Sequence, residues 1–411
     1  MKRANGEYTK MSKNLNSFLT LGYFLDYQNK DIAINILNID KLKYKDISEL
    51  ELISIGSKLL QESISFNFKN NQKHLVPISG GLDSRAILAG LLEYTEAKNI
   101  YTYTFGTPNT LDFDIGNFIA KKLGTNHINY DLTRYQYKMD ELLDISNRID
   151  KQTVLFHHPP IWQIDERFKD STLWSGFMGD PIFGSHLHDT ISPDIDKAKS
   201  FFIKKNTYTR SINLVKDINF KELMQCNCIS ETKLSIEEQL DFQNRQTKFI
   251  APHVLMQGFE YKTPFLHQPL VDFALSIDNK YRKDQYLYKK ILLKTFPKEF
   301  SYKTKTNYGL PLGVSNNRIF MKRVQNKILR TIGLSKGIGI NYLDFNEKIR
   351  TKRDLKEIVS MNILDLKQRK IIDWIDIEQI LNNHLSGKGN HADALIVLAS
   401  LEIHLKSGLK L

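Results

Sequence analysis

The fold is decided by residues 74–84, HLVPISGGLDS, where an apolar run leads through two adjacent glycines into a helical pattern. Glycine lets the backbone approach a ligand closely, and the first NH groups of a helix have no partner within the helix. A loop of this kind is suited to pyrophosphate, with Ser79 and Ser84 as additional hydroxyl donors. Asp83 can face phosphate only across a cation, so it is predicted to help hold Mg²⁺.

An alternative interpretation of the loop is a tight turn whose aspartate caps the helix, and an isolated Gly-Gly pair would favour it. The whole hexapeptide 79–84, placed directly after an apolar β run, favours phosphate binding instead. The chain has no Gly-x-x-x-x-Gly-Lys sequence, which argues against simple hydrolysis of a γ-phosphate. The loop therefore predicts a site for pyrophosphate that does not serve simple transfer of a γ-phosphate.

The composition is that of an ordinary folded protein. The 411 residues are 41% hydrophobic and 25% charged, and at about 150 residues per domain they correspond to two or three domains. Cys226 and Cys228 suit neither a disulfide framework nor a four-cysteine zinc site, which indicates a reducing compartment. No stretch approaches the ~20 apolar residues that cross a bilayer, so a cytoplasmic protein without a membrane span is predicted.

The net charge of +12 comes from 58 basic and 46 acidic residues. A positive balance favours anionic partners, nucleic acid among them. The lysines are scattered along the chain rather than concentrated in one tail, so a solvated basic surface is the favoured interpretation and nucleic acid is disfavoured as a partner.

Short apolar runs alternate with helical patterns in the first half of the chain, which predicts an α/β fold with a parallel sheet. Strands are predicted at 74–78, 100–105, 127–132 and 172–176, and helices at 47–66, 84–94 and 113–123. Helical patterns then dominate, at 231–250, 285–296, 319–332 and 392–405. The predicted division is a segment at 1–46, a pyrophosphate-loop domain at 47–190 and a mostly helical region at 191–411.

Further motifs follow the loop in a fixed order. They are TFG at 104–106, DFD at 112–114, AKKLGTNH at 120–127, SGFMGDPIFG at 175–184, GFEYKTPFL at 258–266 and KTNYGLP at 305–311. Together with the loop they resemble the asparagine synthetase family, from about residue 47 to residue 313. The resemblance implies an adenine nucleotide α-hydrolase-like fold and an enzyme that cleaves ATP between the α and β phosphates.

The resemblance also implies roles for individual residues. The nucleotide would be held by Ser79, Gly80, Gly81, Asp83, Ser84, Phe105 and Gly176. Asp83 and Asp180 would hold Mg²⁺, and Lys305 would neutralise charge at the reacting phosphorus. Taken alone, Asp180 could be a turn residue and Lys305 a surface lysine, but their register with the loop favours the functional roles.

The start of the chain departs from the family's pattern. Glutamine-using members carry a catalytic cysteine directly after the initiating methionine, whereas here Lys2 follows Met1 and only 78 residues precede Ser79. We therefore expect the synthetase portion without a glutaminase domain, with 18–36 resembling the linker that normally joins the two and 1–46 as a remnant of it. A separate glutaminase or pathway protein stays open as a partner.

The acceptor site departs as well. Phe177 replaces the glutamate of the family's Ser-Gly-Glu, and Pro181 replaces a second one. An apolar wall predicts an acceptor larger than ammonia, and β-lactam synthetase and lasso-peptide cyclases show such changes within related folds. Glu260, beside Tyr261, is the predicted acceptor-site base, with a core-capping glutamate as the alternative. His157 and His158 are further candidates, although a structural role is favoured for both.

The sequence thus predicts an ATP-dependent ligase that adenylates a small-molecule or peptide carboxylate and forms an amide with an amine other than glutamine-derived ammonia. A pyrophosphate-loop enzyme that modifies tRNA is an alternative, as is a non-catalytic nucleotide-binding scaffold. The motifs at 258–266 and 305–311 favour the ligase over the RNA enzyme, and no zinc knuckle or aromatic RNA-stacking motif occurs. Retention of Asp83, Asp180 and Lys305 argues against the scaffold.

Overall fold

A parallel sheet of five strands organises the first half of the chain. The computed structural model describes residues 2–28, 32, 34–36, 38–187, 194–226, 233–331 and 343–411. The strands are β1 (Lys73–Pro77), β2 (Ile100–Gly106), β3 (Asn126–Asp131), β4 (Ser171–Trp174) and β5 (Glu260–Lys262). The four predicted strands are confirmed, and β5 was not predicted. The α/β sheet followed by a helical region is the predicted fold class, and it is confirmed.

The strand order is β3-β2-β1-β4-β5, with every neighbouring pair parallel. The chain winds outward from β1 to β3 and then returns to the other side of β1 for β4 and β5. The order therefore reverses between β1 and β4, and in sheets of this type ligands bind outside the carboxyl ends of the strands at such a point. The loops that follow β1 and β4 both leave the sheet there.

Helices cover the sheet and build the second half of the chain. They are α1 (Lys2–Leu21), α2 (Glu49–Asn67), α3 (Asp83–Leu91), α4 (Leu111–Leu123), α5 (Met139–Arg148), α6 (Ile161–Phe168), α7 (Gly179–Ile182), α8 (Ile195–Asn206), α9 (Ile236–Leu240), α10 (Ala251–Val254), α11 (Gln268–Ser276), α12 (Asn279–Arg282), α13 (Tyr286–Thr295), α14 (Pro297–Phe300), α15 (Asn316–Thr331), α16 (Phe345–Thr351), α17 (Arg353–Arg369), α18 (Ile377–Leu385) and α19 (Ala392–Lys406). A π-helix, Asp241–Ile250, joins α9 to α10.

Most predicted helices are confirmed within a few residues of their bounds. The helix predicted at 319–332 is α15, which is described as far as Thr331 and whose predicted last residue lies outside the described residues. The helix predicted at 231–250 differs, because α9 ends at Leu240 and the chain continues as the π-helix. Residues 231 and 232 lie outside the described residues.

The two faces of the sheet belong to different apolar cores. In β1 the side chain of Val76 packs into the core with α2, α3 and α13, whereas Leu75 packs on the opposite face with Tyr103 and Leu173. Successive strand residues point to opposite faces, which accounts for this division. A further core joins the C-terminal helices α17 and α19 to α5.

The amino-terminal helix α1 packs into that C-terminal core through Phe18 and Leu19, both fully buried. The division at 46 and 190 stays a prediction, and the second boundary falls outside the described residues. Within the described part of the chain, no helix combines the length and the apolar character needed to cross a membrane.

Candidate active site

The loop between β1 and α3 lies at the carboxyl end of the sheet, and two of its backbone NH groups donate to serine hydroxyls of residues 79–84. Gly81 donates its NH to the Ser79 hydroxyl at 3.2 Å, and Ser79 donates its NH to the Ser84 hydroxyl at 3.3 Å. No side chain caps the start of α3. The first NH groups of this nine-residue helix therefore have no side-chain acceptor, which suits an anionic ligand.

Gly80 lies in close contact with the segment that carries Lys305. A Cβ atom at Gly80 would stand 2.8 Å from the Leu111 carbonyl oxygen and 3.0 Å from Cβ of Lys305, so a side chain does not fit here. Lys305 donates its NH to the Gly80 carbonyl at 2.9 Å, and its ammonium forms an ion pair with Asp112. The structure thus brings the predicted cation and the predicted loop together.

Asp83 and Asp180 also lie together. The Asp83 carboxylate accepts hydrogen bonds from the Asp180 NH at 3.1 Å and from the Tyr288 hydroxyl at 2.8 Å. Burial, and then the charge of Asp180, raise the pKa of Asp83 well above its usual value. A Cβ atom at Gly179 would stand 2.4 Å from Cγ of Asp83, so glycine at this position makes the approach possible.

The two carboxylates fit a magnesium ion. Mg²⁺ in nucleotide sites is held by one or two carboxylates and takes its other ligands from phosphates and water. Asp83 and Asp180 supply oxygen donors of that type, and a cation would offset the cost of two neighbouring negative charges. Within the described residues no cluster of three or more His, Cys, Asp or Glu side chains is arranged to hold a metal by itself.

A cavity of about 400 Å³ adjoins these carboxylates. The predicted site residues among its lining are Asp83, Phe105, Gly176, Phe177, Asp180 and Tyr261. Phe177 is 5% exposed and belongs to the core on the α2 face of the sheet, so it forms a fixed apolar wall. Pro181 lines the cavity as well, next to the wall that Phe177 forms.

A family model described as Asparagine synthase matches residues 57–208 and 253–406, which include the loop, the carboxylate pair and Lys305. The chain belongs to the asparagine synthase family. It is also 23% identical over 154 residues to a provisionally assigned asparagine synthetase (glutamine-hydrolyzing) of Methanocaldococcus jannaschii. That alignment spans 35% of this chain and 28% of the relative's length.

Glu260 of this asparagine synthase family member does not line the cavity. The prediction that Glu260 is the acceptor-site base is therefore corrected. It is paired with Lys262 at 2.9 Å and accepts hydrogen bonds from Thr172 and from Gln72, which precedes β1. The hydrogen bond from Lys262 lowers its pKa. Alternation along β5 explains the difference, because Tyr261 points to the cavity face beside Leu173 and its neighbours point to the other face.

Tyr288 and Gln285 contact the carboxylate pair and were not predicted. Tyr288 is fully buried, stacks on Phe183 with ring centroids 4.2 Å apart and donates to Asp83. Gln285 donates its side-chain NH to Asp180 at 2.7 Å from a backbone with φ of 58°. Left-handed φ is rare outside glycine and concentrates at functional sites, but it leaves no mark in the sequence.

The predicted histidines lie beside the cavity in a group with His253, in which His158 is buried and the other two are half-buried. His157 lines the cavity and hydrogen bonds the Tyr208 hydroxyl at 2.5 Å, while the rings of His158 and His253 stack at 4.1 Å. Burial lowers the pKa of His157 to about 3 and that of His253 to about 4. These rings are therefore neutral at pH 7.

The cysteines lie apart from this site. Cys226 is partly exposed and has the Gln239 side chain as a neighbour, and it does not line the cavity. Cys228 lies outside the described residues.

Proposed function

We propose that the chain is an ATP-dependent ligase that adenylates a carboxylate, joins it to an amine as an amide and releases AMP and pyrophosphate. One observation carries this proposal. The uncapped start of α3, the paired carboxylates Asp83 and Asp180, and Lys305 converge beside a cavity of about 400 Å³ that has room for a second substrate. Family membership supports the same reaction class.

Adenylation is the first step. A carboxylate oxygen attacks the α-phosphorus, the bond to the oxygen that bridges to the β-phosphate breaks, and pyrophosphate leaves with that electron pair. Ser79, Gly81, Ser84 and the first NH groups of α3 hold the leaving group. Lys305, which is 50% exposed at the loop, exchanges Asp112 for phosphate oxygens as negative charge develops.

Magnesium would be held by Asp83 and Asp180, and when bound it would neutralise charge on the phosphate oxygens. Tyr288 and Gln285 fix the two carboxylates through the hydrogen bonds they donate. These contacts orient the side chains before the nucleotide arrives, which is the preorganisation that charge stabilisation requires.

Amide formation is the second step. The amine nitrogen attacks the carbonyl carbon of the acyl adenylate, the bond from that carbon to the phosphate oxygen breaks, AMP leaves with the electron pair, and the nitrogen releases its proton to solvent. Phe177, Pro181 and Tyr261 surround the acceptor with largely apolar surface. That wall supports an amine with its own apolar body rather than free ammonia.

The test is product analysis with α-labelled ATP and a panel of carboxylic acids and amines. The proposal predicts AMP and pyrophosphate in equal amounts, dependent on the acid. Asp83→Asn should remove this release, whereas Asp196→Asn, an exposed carboxylate at the start of α8, should not. ADP and phosphate as the main acid-dependent products would contradict the proposal.

A further inference from the structure

The π-helix contributes part of the cavity wall from a segment outside the matched family ranges. Residues 209–252 lie between the two ranges, and within them Arg245, Gln246 and Ile250 line the cavity. The NH of Ala251 bonds the carbonyl of Gln246, five residues earlier, as π geometry requires. π turns are rare and occur frequently at functional sites.

Arg245 is the one lysine or arginine among the described residues that line this cavity. No hydrogen bond or ion pair joins it to another described residue. Its nearest acidic neighbour in sequence, Asp241, hydrogen bonds His186 at 2.9 Å and Gln246 at 2.9 Å, and the Arg245 charge acts on this carboxylate without a hydrogen bond to it. The guanidinium therefore lines a partly apolar cavity, and among the described residues none accepts a hydrogen bond from it.

We infer that Arg245 binds a non-reacting carboxylate of the amine substrate, which makes that substrate an amino acid or another amine that carries a carboxylate. A guanidinium presents five donors in a fixed fork that matches a carboxylate. The inference rests on the proposed function and names the class of its acceptor.

The charged residues that line the cavity indicate that this carboxylate belongs to the amine substrate. The lining carboxylates among the described residues are Asp83 and Asp180, which the phosphates and their cation would engage. The acceptor wall at Phe177 offers an incoming ammonium no anion, so an amine needs another charged group for recognition.

The experiment measures equilibrium binding of matched pairs to the full chain with Mg²⁺ and an ATP analogue that has a methylene bridge between the α and β phosphates. The pairs differ only in the carboxylate: phenylalanine and phenethylamine, leucine and 3-methylbutylamine, alanine and ethylamine. Arg245→Met and Arg245→Lys are compared with Arg318→Met, which removes an exposed arginine at the start of α15.

The wild-type chain should bind at least one amino acid about tenfold or more tightly than its paired amine, the scale of one charge-assisted contact. Arg245→Met should lose this preference, Arg245→Lys should keep part of it, and Arg318→Met should keep all of it. Absence of the preference in the wild-type chain, or its persistence in Arg245→Met, overturns the assignment.

A second measurement separates the two substrates. Acid-dependent exchange of pyrophosphate into ATP needs no amine, so Arg245→Met should lower amide formation at least about tenfold more than it lowers exchange. An equal loss in both would place the bound carboxylate on the acid and overturn the assignment. If the amino-acid preference is present but no acid supports AMP release, the proposed ligase activity fails while the anion site at Arg245 stands.

Discussion

The backbone NH of Lys305 donates a 2.9 Å hydrogen bond to the carbonyl of Gly80, which fixes a late segment of the chain against the loop after β1. Arg85, buried on α3, reinforces this contact because its guanidinium donates to the backbone carbonyls of Tyr302 and Lys303. Residues 79–84 and the segment with Lys305 are therefore held by one hydrogen-bonded unit, while the Lys305 ammonium itself remains half exposed.

Lys305→Met should reduce turnover by about a hundredfold or more, with the KM for ATP changed by less than about threefold. In the proposed mechanism the ammonium acts on charge that develops in the transition state, and loss of one preorganised donor typically has an effect of this size. Steady-state kinetics with varied ATP separate the effect on kcat from the effect on the KM for ATP.

Lys303→Met is the matched control, because the Lys303 ammonium lies over the Phe118 ring at 4.4 Å. It should keep turnover within about threefold of the wild-type value. Full turnover in Lys305→Met together with a loss in Lys303→Met would show that the wrong lysine has been assigned.

Gly179→Ala should abolish most activity while the fold is retained. The added Cβ would stand 2.4 Å from Cγ of Asp83, so either the carboxylate or the turn that carries Asp180 must move. Gly313→Ala is the control, since its Cβ would meet the Leu293 side chain at an ordinary 3.6 Å. Circular dichroism should show that both variants are folded and activity should separate them, and equal activity would show that the Asp83 position is not critical.

Phe177→Glu should impair amide formation more than adenylation. The change places a carboxylate in an apolar wall that is 5% exposed and alters the surface that faces the amine. The ratio of amide product to pyrophosphate exchange measures the difference. A collapse of exchange with an unchanged ratio would instead place Phe177 in the nucleotide site.

His158→Phe should make the free energy of unfolding depend less steeply on pH below pH 6.5. Burial, and then the charge of His253, lower the pKa of His158 well below its ordinary 6.5, so below pH 6.5 the unfolded chain binds a proton that the folded chain excludes. Stability is therefore present above pH 6.5 and falls as the pH drops, by up to about 1.4 kcal/mol per pH unit for each such histidine. Urea unfolding at pH 7, 6 and 5 should show a shallower slope in the variant, and an identical slope would contradict the assignment.

Much of the site could be predicted because its parts are local in sequence. The run from β1 through residues 79–84 into α3 combines strand, glycine and helix signals within a few residues, and the motif around Lys305 keeps a fixed spacing to Pro311. The predicted acceptor wall at Phe177 likewise lies in a single motif after β4.

The remainder depends on tertiary geometry. Glu260 was assigned to the wrong place because β5 has only three residues, too few for alternation to show which side chain faces the cavity. Tyr288 follows the apolar pattern of α13 and is distinguished only by its contact with Asp83. Arg245 lies in a π-helix, where the 3.6-residue period does not report which residues share a face.

The most direct test of the account is transfer of ¹⁸O from the carboxylate substrate. An acid that supports AMP release in the panel is labelled with ¹⁸O in its carboxylate and converted with ATP and the amine, and the products are analysed by mass spectrometry. Attack on the α-phosphorus predicts one ¹⁸O in each AMP and none in pyrophosphate. Label that appears in inorganic phosphate, with ADP as the nucleotide product, would contradict adenylation and with it the role assigned to the loop.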